Sequence, residues 1–206
     1  MLNTVYQLVR PRQFEVVFKD ITMDDKHVIV HPTHLSICNA DQRYYQGLRA
    51  EAVLKKKLPM ALIHEGIGRV IYDPTGHFEQ GTLVVMIPNT PVEQDAIIAE
   101  NYLRSSKFRA SGFDGFMQEY VSMEPDRLVV LPEDINLSVA AFTEIVSVSY
   151  HAIQRFLRFS HERRNVIGVW GDGNLGYITS LLLKKLLPDT KVCVFGVNEY
   201  KLNDFS

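Results

Sequence analysis

The sequence predicts an α/β chain with a β-rich part: a β-barrel or sandwich, a connecting helix, and then the opening β-α-β of a doubly wound parallel sheet. Three observations carry this expectation. Short β-branched and aromatic runs bounded by Gly, Pro or Asp recur through the first half. The apolar spacing turns helical after Leu131-Pro132-Glu133-Asp134. The run from Asn165 to Gly176, NVIGVWGDGNLG, then reads as a strand, a glycine-rich turn and the start of a helix.

Taken in order, Glu15–Phe18, Val28–His31, Ile67–Tyr72, Thr82–Ile87 and Phe116–Val121 are the expected strands. Asp73-Pro74-Thr75-Gly76 is a turn between two of them. From Ser138 to about Phe159 a long helix is expected, with Val139, Phe142, Val146, Ser149 and Ile153 along one face. A charged hinge, His161-Glu162-Arg163-Arg164, leads to the strand Val166, Ile167, Val169 and Trp170, the helix pattern Ile178 to Leu187, and a second strand, Lys191–Phe195. The expected organisation is a β-rich domain over 1–137, a connecting helix over 138–160 and the start of a doubly wound domain over 161–206. A parallel sheet needs several neighbouring strands and cover on both faces. Two strands and one helix therefore read either as part of a longer protein or as a piece whose remainder is supplied by something else.

Composition excludes several classes. With 22 basic and 24 acidic residues the formal net charge is −2, so nothing draws the chain to nucleic acid or to an anionic membrane. Lys55-Lys56-Lys57 is most simply a solvated helix face. Cys38 and Cys193, the two cysteines, make no disulfide framework, and no apolar run reaches membrane-spanning length. A reducing, cytoplasmic location is expected.

The glycine-rich run has the parts a dinucleotide needs. Gly171 makes the tight turn, Gly173 lets a pyrophosphate approach the backbone, and Gly176 lets the helix pack on the strand. The helix N-terminus, with Asn174 and Leu175, offers unpaired N–H groups to phosphate. Cofactor choice is read at the end of the second strand, where an acidic residue about twenty positions past the glycines normally binds the ribose 2′-OH of NAD. Gly196 stands there, with Lys201 a little further on to pair with a 2′-phosphate, so NADP(H) is expected, with Glu199 as the one nearby acid that favours NAD.

Cys38, His64 with Glu65, and Glu144 in the long helix each sit in apolar surroundings. Thiolate, imidazole and carboxylate are ligand types zinc accepts, and three protein ligands with an open position mark a catalytic site. Singly, each has a plainer reading. A lone cysteine is usually a buried small hydrophobe, as expected for Cys193 in mid-strand, and a His-Glu pair is often only hydrogen-bonded.

Together these residues resemble the zinc-dependent medium-chain dehydrogenases/reductases. The matching pieces are Cys38-x-x-Asp41, His64-Glu65-Gly66-x-Gly68, Gly115-Phe116-Met117-Gln118-Glu119-Tyr120-Val121 and the glycine run, in that order. Glu144, followed by Ser147-Val148-Ser149-Tyr150-His151-Ala152, looks like the Glu-bearing helix of the sorbitol-dehydrogenase-like branch. The stretches Asp41–Gly47, Lys57–Met60, Val85–Asn89 and Trp170–Tyr177 are similar to bacterial ribulose-5-phosphate reductases, also called ribitol-5-phosphate dehydrogenases.

The resemblance implies a GroES-like β-barrel catalytic domain followed by a truncated Rossmann fold. It implies zinc on Cys38, His64 and Glu144, with Glu65 as a fourth, exchangeable ligand or a neighbour of the metal, and Asp41 orienting a ligand. It implies NADPH-dependent reduction of the C2 ketone of D-ribulose 5-phosphate for CDP-ribitol and wall teichoic acid. In full-length form it implies a homodimer and a cytidylyltransferase partner. Arg43 (with Arg49), Tyr44 and Tyr45 follow the first ligand and are the substrate-side candidates for a small ketose phosphate. The other readings are a polyol or alcohol dehydrogenase on an unphosphorylated substrate, and an inactive fragment. Two departures stand out. Asn89–Phe113 contains no cysteine, so a four-cysteine structural zinc lobe is absent, and Ala40 replaces the usual hydroxyl of the proton relay.

Overall fold

Two antiparallel strands open the chain, β1 (Leu2–Arg10) and β2 (Gln13–Asp20), joined through Pro11 and Arg12, the latter at φ 63°. A computed structural model describes residues 1–205, which fall into two compact units, Met1–Phe142 and the residues from Thr143 onward.

In the first unit the remaining strands are β3 (Val28–Ser36), β4 (Met60–Ala61), β5 (Glu65–Tyr72), β6 (Leu83–Met86), β7 (Asn89–Thr90), β8 (Lys107–Phe108), β9 (Val121–Met123) and β10 (Leu128–Val130). The main sheet is antiparallel in the order β10-β6-β5-β3-β9; β2-β1-β4 form a second sheet and β7-β8 a small ribbon. The period of two along a strand divides the side chains between two cores. From β5 and β6, Val70, Val84 and Met86 join Val28, Val30, Phe116 and Val121, whereas Ile67, Leu83 and Val85 meet Ala140. A third cluster, Leu8, Tyr44, Met60, Leu62 and Ile63, lies where β1 and β4 meet α1 (Asn39–Tyr45) and α2 (Glu51–Lys57). The expected turn at Asp73 is present, its carboxylate accepting from Thr75 N and Phe78 N at 2.8 and 2.7 Å.

Several expectations need correction. Phe116–Tyr120 is not strand: Gly115, Phe116 and Met117 donate their amides to Ala61, Ile63 and Leu62, which holds the segment as a bent loop with Phe116 inserted in the core. Gln118 makes only an isolated bridge to Val5, and the strand proper is Val121–Met123, β9. The helix from Ser138 breaks into α3 (Leu137–Ala140) and α4 (Thr143–Phe159). Asn136 caps α3, and Phe142 N bonds three residues back to Val139 O, closing that helix tightly; Val139 and Phe142, expected on the buried face, are exposed. Lys57 is half-buried, its ammonium held by Ser111 O, unlike a solvated face.

In the second unit β11 (Val166–Trp170), α5 (Asn174–Leu186) and β12 (Lys191–Phe195) make a parallel pair with its connecting helix, Val166 facing Lys191 and Trp170 facing Phe195. Ile153 of α4, Ile167 and Leu183 form its core, and burial of a Leu side chain contributes about 1.5–3 kcal/mol. Trp170 and Phe195 stack at 4.9 Å with Trp170 79% exposed, and Cys193 is half-buried rather than buried. A short helix, α6 (Glu199–Leu202), follows.

Candidate functional site

Cys38 ends the extended run of β3 and is the N-cap of α1. The local chain folds this way because Asp41, three residues into the helix, returns its carboxylate to the cap: Oδ2 accepts from Cys38 N at 3.0 Å and from the Cys38 thiol at 2.9 Å. The other oxygen, Oδ1, accepts from Ile63 N at 2.9 Å. Ile63 sits at φ 71°, a left-handed conformation that costs a β-branched residue about 1–3 kcal/mol. Asp41 is 3% exposed. One buried carboxylate thus ties the Cys38 segment to the residue just before His64.

His64 lies between β4 and β5, its ring edge on Phe108 at 4.9 Å. Glu65 opens β5 opposite Ser36 of β3, is buried, and is hydrogen-bonded by the Ser36 side chain. Cys38 Sγ stands 3.9 Å from His64 Nε2, which stands 3.9 Å from Glu65 Oε1, and the three donor atoms lie within 4.8 Å of one another.

These spacings fit a zinc ion. A tetrahedral ion about 2.3 Å from sulfur and about 2.1 Å from nitrogen sets those two atoms about 3.6 Å apart. The electrostatics also fit a cation. Burial, with the hydrogen bond to Asp41, pushes the Cys38 thiol up to about 12. Burial likewise raises Glu65, against the Ser36 bond and His64, which lower it. Buried acids held this way are where a positive charge is most stabilising.

The glycine-rich turn has the required backbone. Gly171 has φ 145° and donates to Phe195 O at 2.8 Å. A Cβ on Gly176 would meet Gly171 O at 2.1 Å, so helix and turn touch only because position 176 lacks a side chain. Gly173 is the N-cap of α5 without a side-chain cap, and the space beside its Cα is open. Asn174 and Leu175, both exposed, form the first turn of α5. The dipole and free N–H groups there favour an anion.

The structure brings Cys38, Asp41, His64 and Glu65 together. Glu144 occupies the first turn of α4 in the second unit and has its own bonding partner. Arg43 is exposed and its guanidinium donates to Leu48 O at 3.3 and 3.4 Å. Tyr44 is buried in the core with Arg49 over its ring at 4.8 Å, and Tyr45 stacks on Phe14. Gly196 closes β12 beneath the Asp172 side chain, and Lys201 is exposed on α6. Sequence reasoning missed Ser36, Phe108 and Asp172. Only Asp172, inside the glycine pattern, carried a signal. Among the described residues no helix is long and apolar enough to cross a membrane.

The alcohol dehydrogenase GroES-like domain family matches residues 24–133. The ribulose-5-phosphate reductase of Bacillus spizizenii is 62% identical over all 206 residues, and ribulose-5-phosphate reductase 2 of Staphylococcus aureus is also 62% identical. The chain spans about 60% of the length of each of these relatives. The crystal structure of Staphylococcus aureus TarJ in complex with NADPH superposes with a TM-score of 0.81 at 51% identity, over the whole of this chain and 57% of that one. L-idonate 5-dehydrogenase of Escherichia coli shares the fold, with a TM-score of 0.87 at 22% identity over the whole of this chain and 60% of that one. With that family match over more than half of its length, the chain belongs to the alcohol dehydrogenase GroES-like domain family.

Proposed function

We propose that this chain carries the metal centre and the pyrophosphate-binding turn of an NADPH-dependent, zinc-assisted reductase that converts D-ribulose 5-phosphate to D-ribitol 5-phosphate. The observation that carries this is the convergence of Cys38, His64 and Glu65 within 4.8 Å, braced by Asp41. The likeness to ribulose-5-phosphate reductases supports the substrate, and the NADPH bound to TarJ supports the cofactor.

When bound, zinc supplies Lewis acidity toward a carbonyl oxygen and NADPH supplies the hydride. Everything else falls to the chain. Cys38 and His64 hold the metal, the resemblance adds Glu144, and Glu65 stands beside them as an exchangeable ligand. Asp41 fixes Cys38 and the backbone before His64. Gly171–Gly176 and the first turn of α5 hold the pyrophosphate, and Gly196 with Lys201 admits the 2′-phosphate. Arg43 meets the substrate phosphate with Tyr45 beside it, while Tyr44, buried in the core, supports that segment from within; with Ala40 in place of a hydroxyl, the proton comes from Tyr45 or from water. The reductase works as a homodimer with a cytidylyltransferase that consumes its product for CDP-ribitol and wall teichoic acid.

The test combines zinc analysis with NADPH oxidation in the presence of D-ribulose 5-phosphate or unphosphorylated D-ribulose. Stoichiometric zinc, lowered in Glu144→Ala, and a strong preference for the phosphate ester are expected. Arg43→Ala should raise KM for the ester far more than for the free ketose. Absence of zinc, or equal use of both sugars, would overturn the reading.

A further inference from the structure

We propose that Asp172 is a specificity-determining positioning residue: it keeps position 196 free of any side chain and fixes the loop after β12 in the shape that admits NADPH. The inference rests on the NADPH reading above and concerns a residue between the turn glycines rather than the glycines themselves.

Asp172 reaches from the turn after β11 to the loop after β12. Its Oδ2 accepts from Val197 N at 3.0 Å and from Asn198 N at 2.7 Å. Asn198 in turn caps α6 by accepting from Lys201 N at 3.4 Å. The Asp172 side chain also covers Gly196: a Cβ built there would lie 2.5 Å from Asp172 Cβ and 2.7 Å from its Oδ2. The two amides, with the charge of Lys201 adding to them, hold the Asp172 carboxyl below the usual carboxylate range.

A chain that reads NAD places an acidic side chain at the end of the second strand, where it accepts from the ribose 2′-OH. Here no side chain fits at that position while Asp172 is in place. The carboxylate that does stand nearby is turned to backbone N–H groups and so is not offered to a ribose. Selection against NAD thus comes from packing between two loops, in addition to the missing acid at 196.

The test measures NADPH and NADH dissociation constants on the full chain by fluorescence titration, together with amide hydrogen exchange at Val197 and Asn198. In Asp172→Ala both amides should exchange about tenfold faster or more, and the NADPH-over-NADH preference should fall about tenfold, as two bonds to a charged acceptor are lost. Asp172→Asn keeps an oxygen that can accept both bonds and should recover most of each effect, which a charge-only role would not. Gly196→Asp alone should weaken both dinucleotides, while the same change with Asp172→Gly should favour NADH. If the native chain prefers NADPH and Asp172→Ala leaves exchange and preference within about twofold, the positioning role is refuted and the NADPH reading stands. Gain of NADH binding by Gly196→Asp alone would also refute it. A native chain with no preference for NADPH would overturn both.

Discussion

Replacing Asp41 by Asn tests whether one buried carboxylate organises the metal centre. The carboxylate accepts three hydrogen bonds, two at Oδ2 and one at Oδ1. An amide has a single acceptor oxygen, so whichever way it turns, either Cys38 N–H or Ile63 N–H faces an NH₂ group. The residue is 3% exposed, so water does not replace the lost partner. Losing one bond to a charged acceptor at a buried site costs about 2–3 kcal/mol. At about 2–4 °C per kcal/mol for a chain of this size, Asp41→Asn should lower Tm by about 5–10 °C. Asp41→Ala removes all three bonds and should cost about 3–5 kcal/mol. Because the same carboxylate sets Cys38 against His64, zinc affinity should fall about 10–100-fold. Scanning calorimetry and a zinc competition titration measure both. An Asp41→Asn chain that melts within about 2 °C of the native one and holds zinc within about twofold would refute the bracing role.

The turn and the fold make further predictions. Gly173→Ala adds a methyl to open space at the mouth of α5, so Tm should hold while NADPH affinity drops about tenfold or more, read by titration. Gly176→Ala instead drives a Cβ to 2.1 Å from Gly171 O, and the second unit should lose stability along with cofactor binding. Acid sensitivity should trace in part to Asp114. Burial would raise its carboxyl, but Lys19, Ala61 N–H and Gln7 hold it below the usual carboxylate range. A depressed folded value means stability that is full above the unfolded value of about 3.9 and is lost as pH falls through the folded one. Urea unfolding at pH 6 and near pH 3 should therefore show a smaller loss in Asp114→Asn than in the native chain.

Much of this was readable from residue types. Cys38, His64 and Glu65 stood out because polar ligands in apolar runs need a reason to be there, and they do converge. What Asp41 holds was not readable, because the bond to Ile63 N spans 22 residues and depends on an unusual backbone angle. β1 was missed for a related reason. Its inward face carries Asn3 and Gln7, 1% and 7% exposed, bonded to Gln118 and Asp114, so polar residues interrupt the apolar alternation. Phe116 misled in the other direction: its aromatic and β-branched neighbours mimic a strand, while long-range bonds to the 61–63 backbone make it a loop. Asp172 was visible within the glycine pattern, but its grip on residues 197 and 198 exists only once β11 and β12 lie side by side.

The stacked Trp170–Phe195 pair has a spectroscopic consequence. Trp170 is the chain's sole indole, adjoins Gly171, and is already largely solvated. Its emission is therefore a single-site reporter on the nucleotide turn, free of background from other tryptophans. Excited at 295 nm or so, where tyrosine absorbs weakly, the protein should signal dinucleotide arrival by quenching or energy transfer. Melting of the β-rich unit, which carries no indole, should pass almost unseen in that channel and be followed through its tyrosines instead.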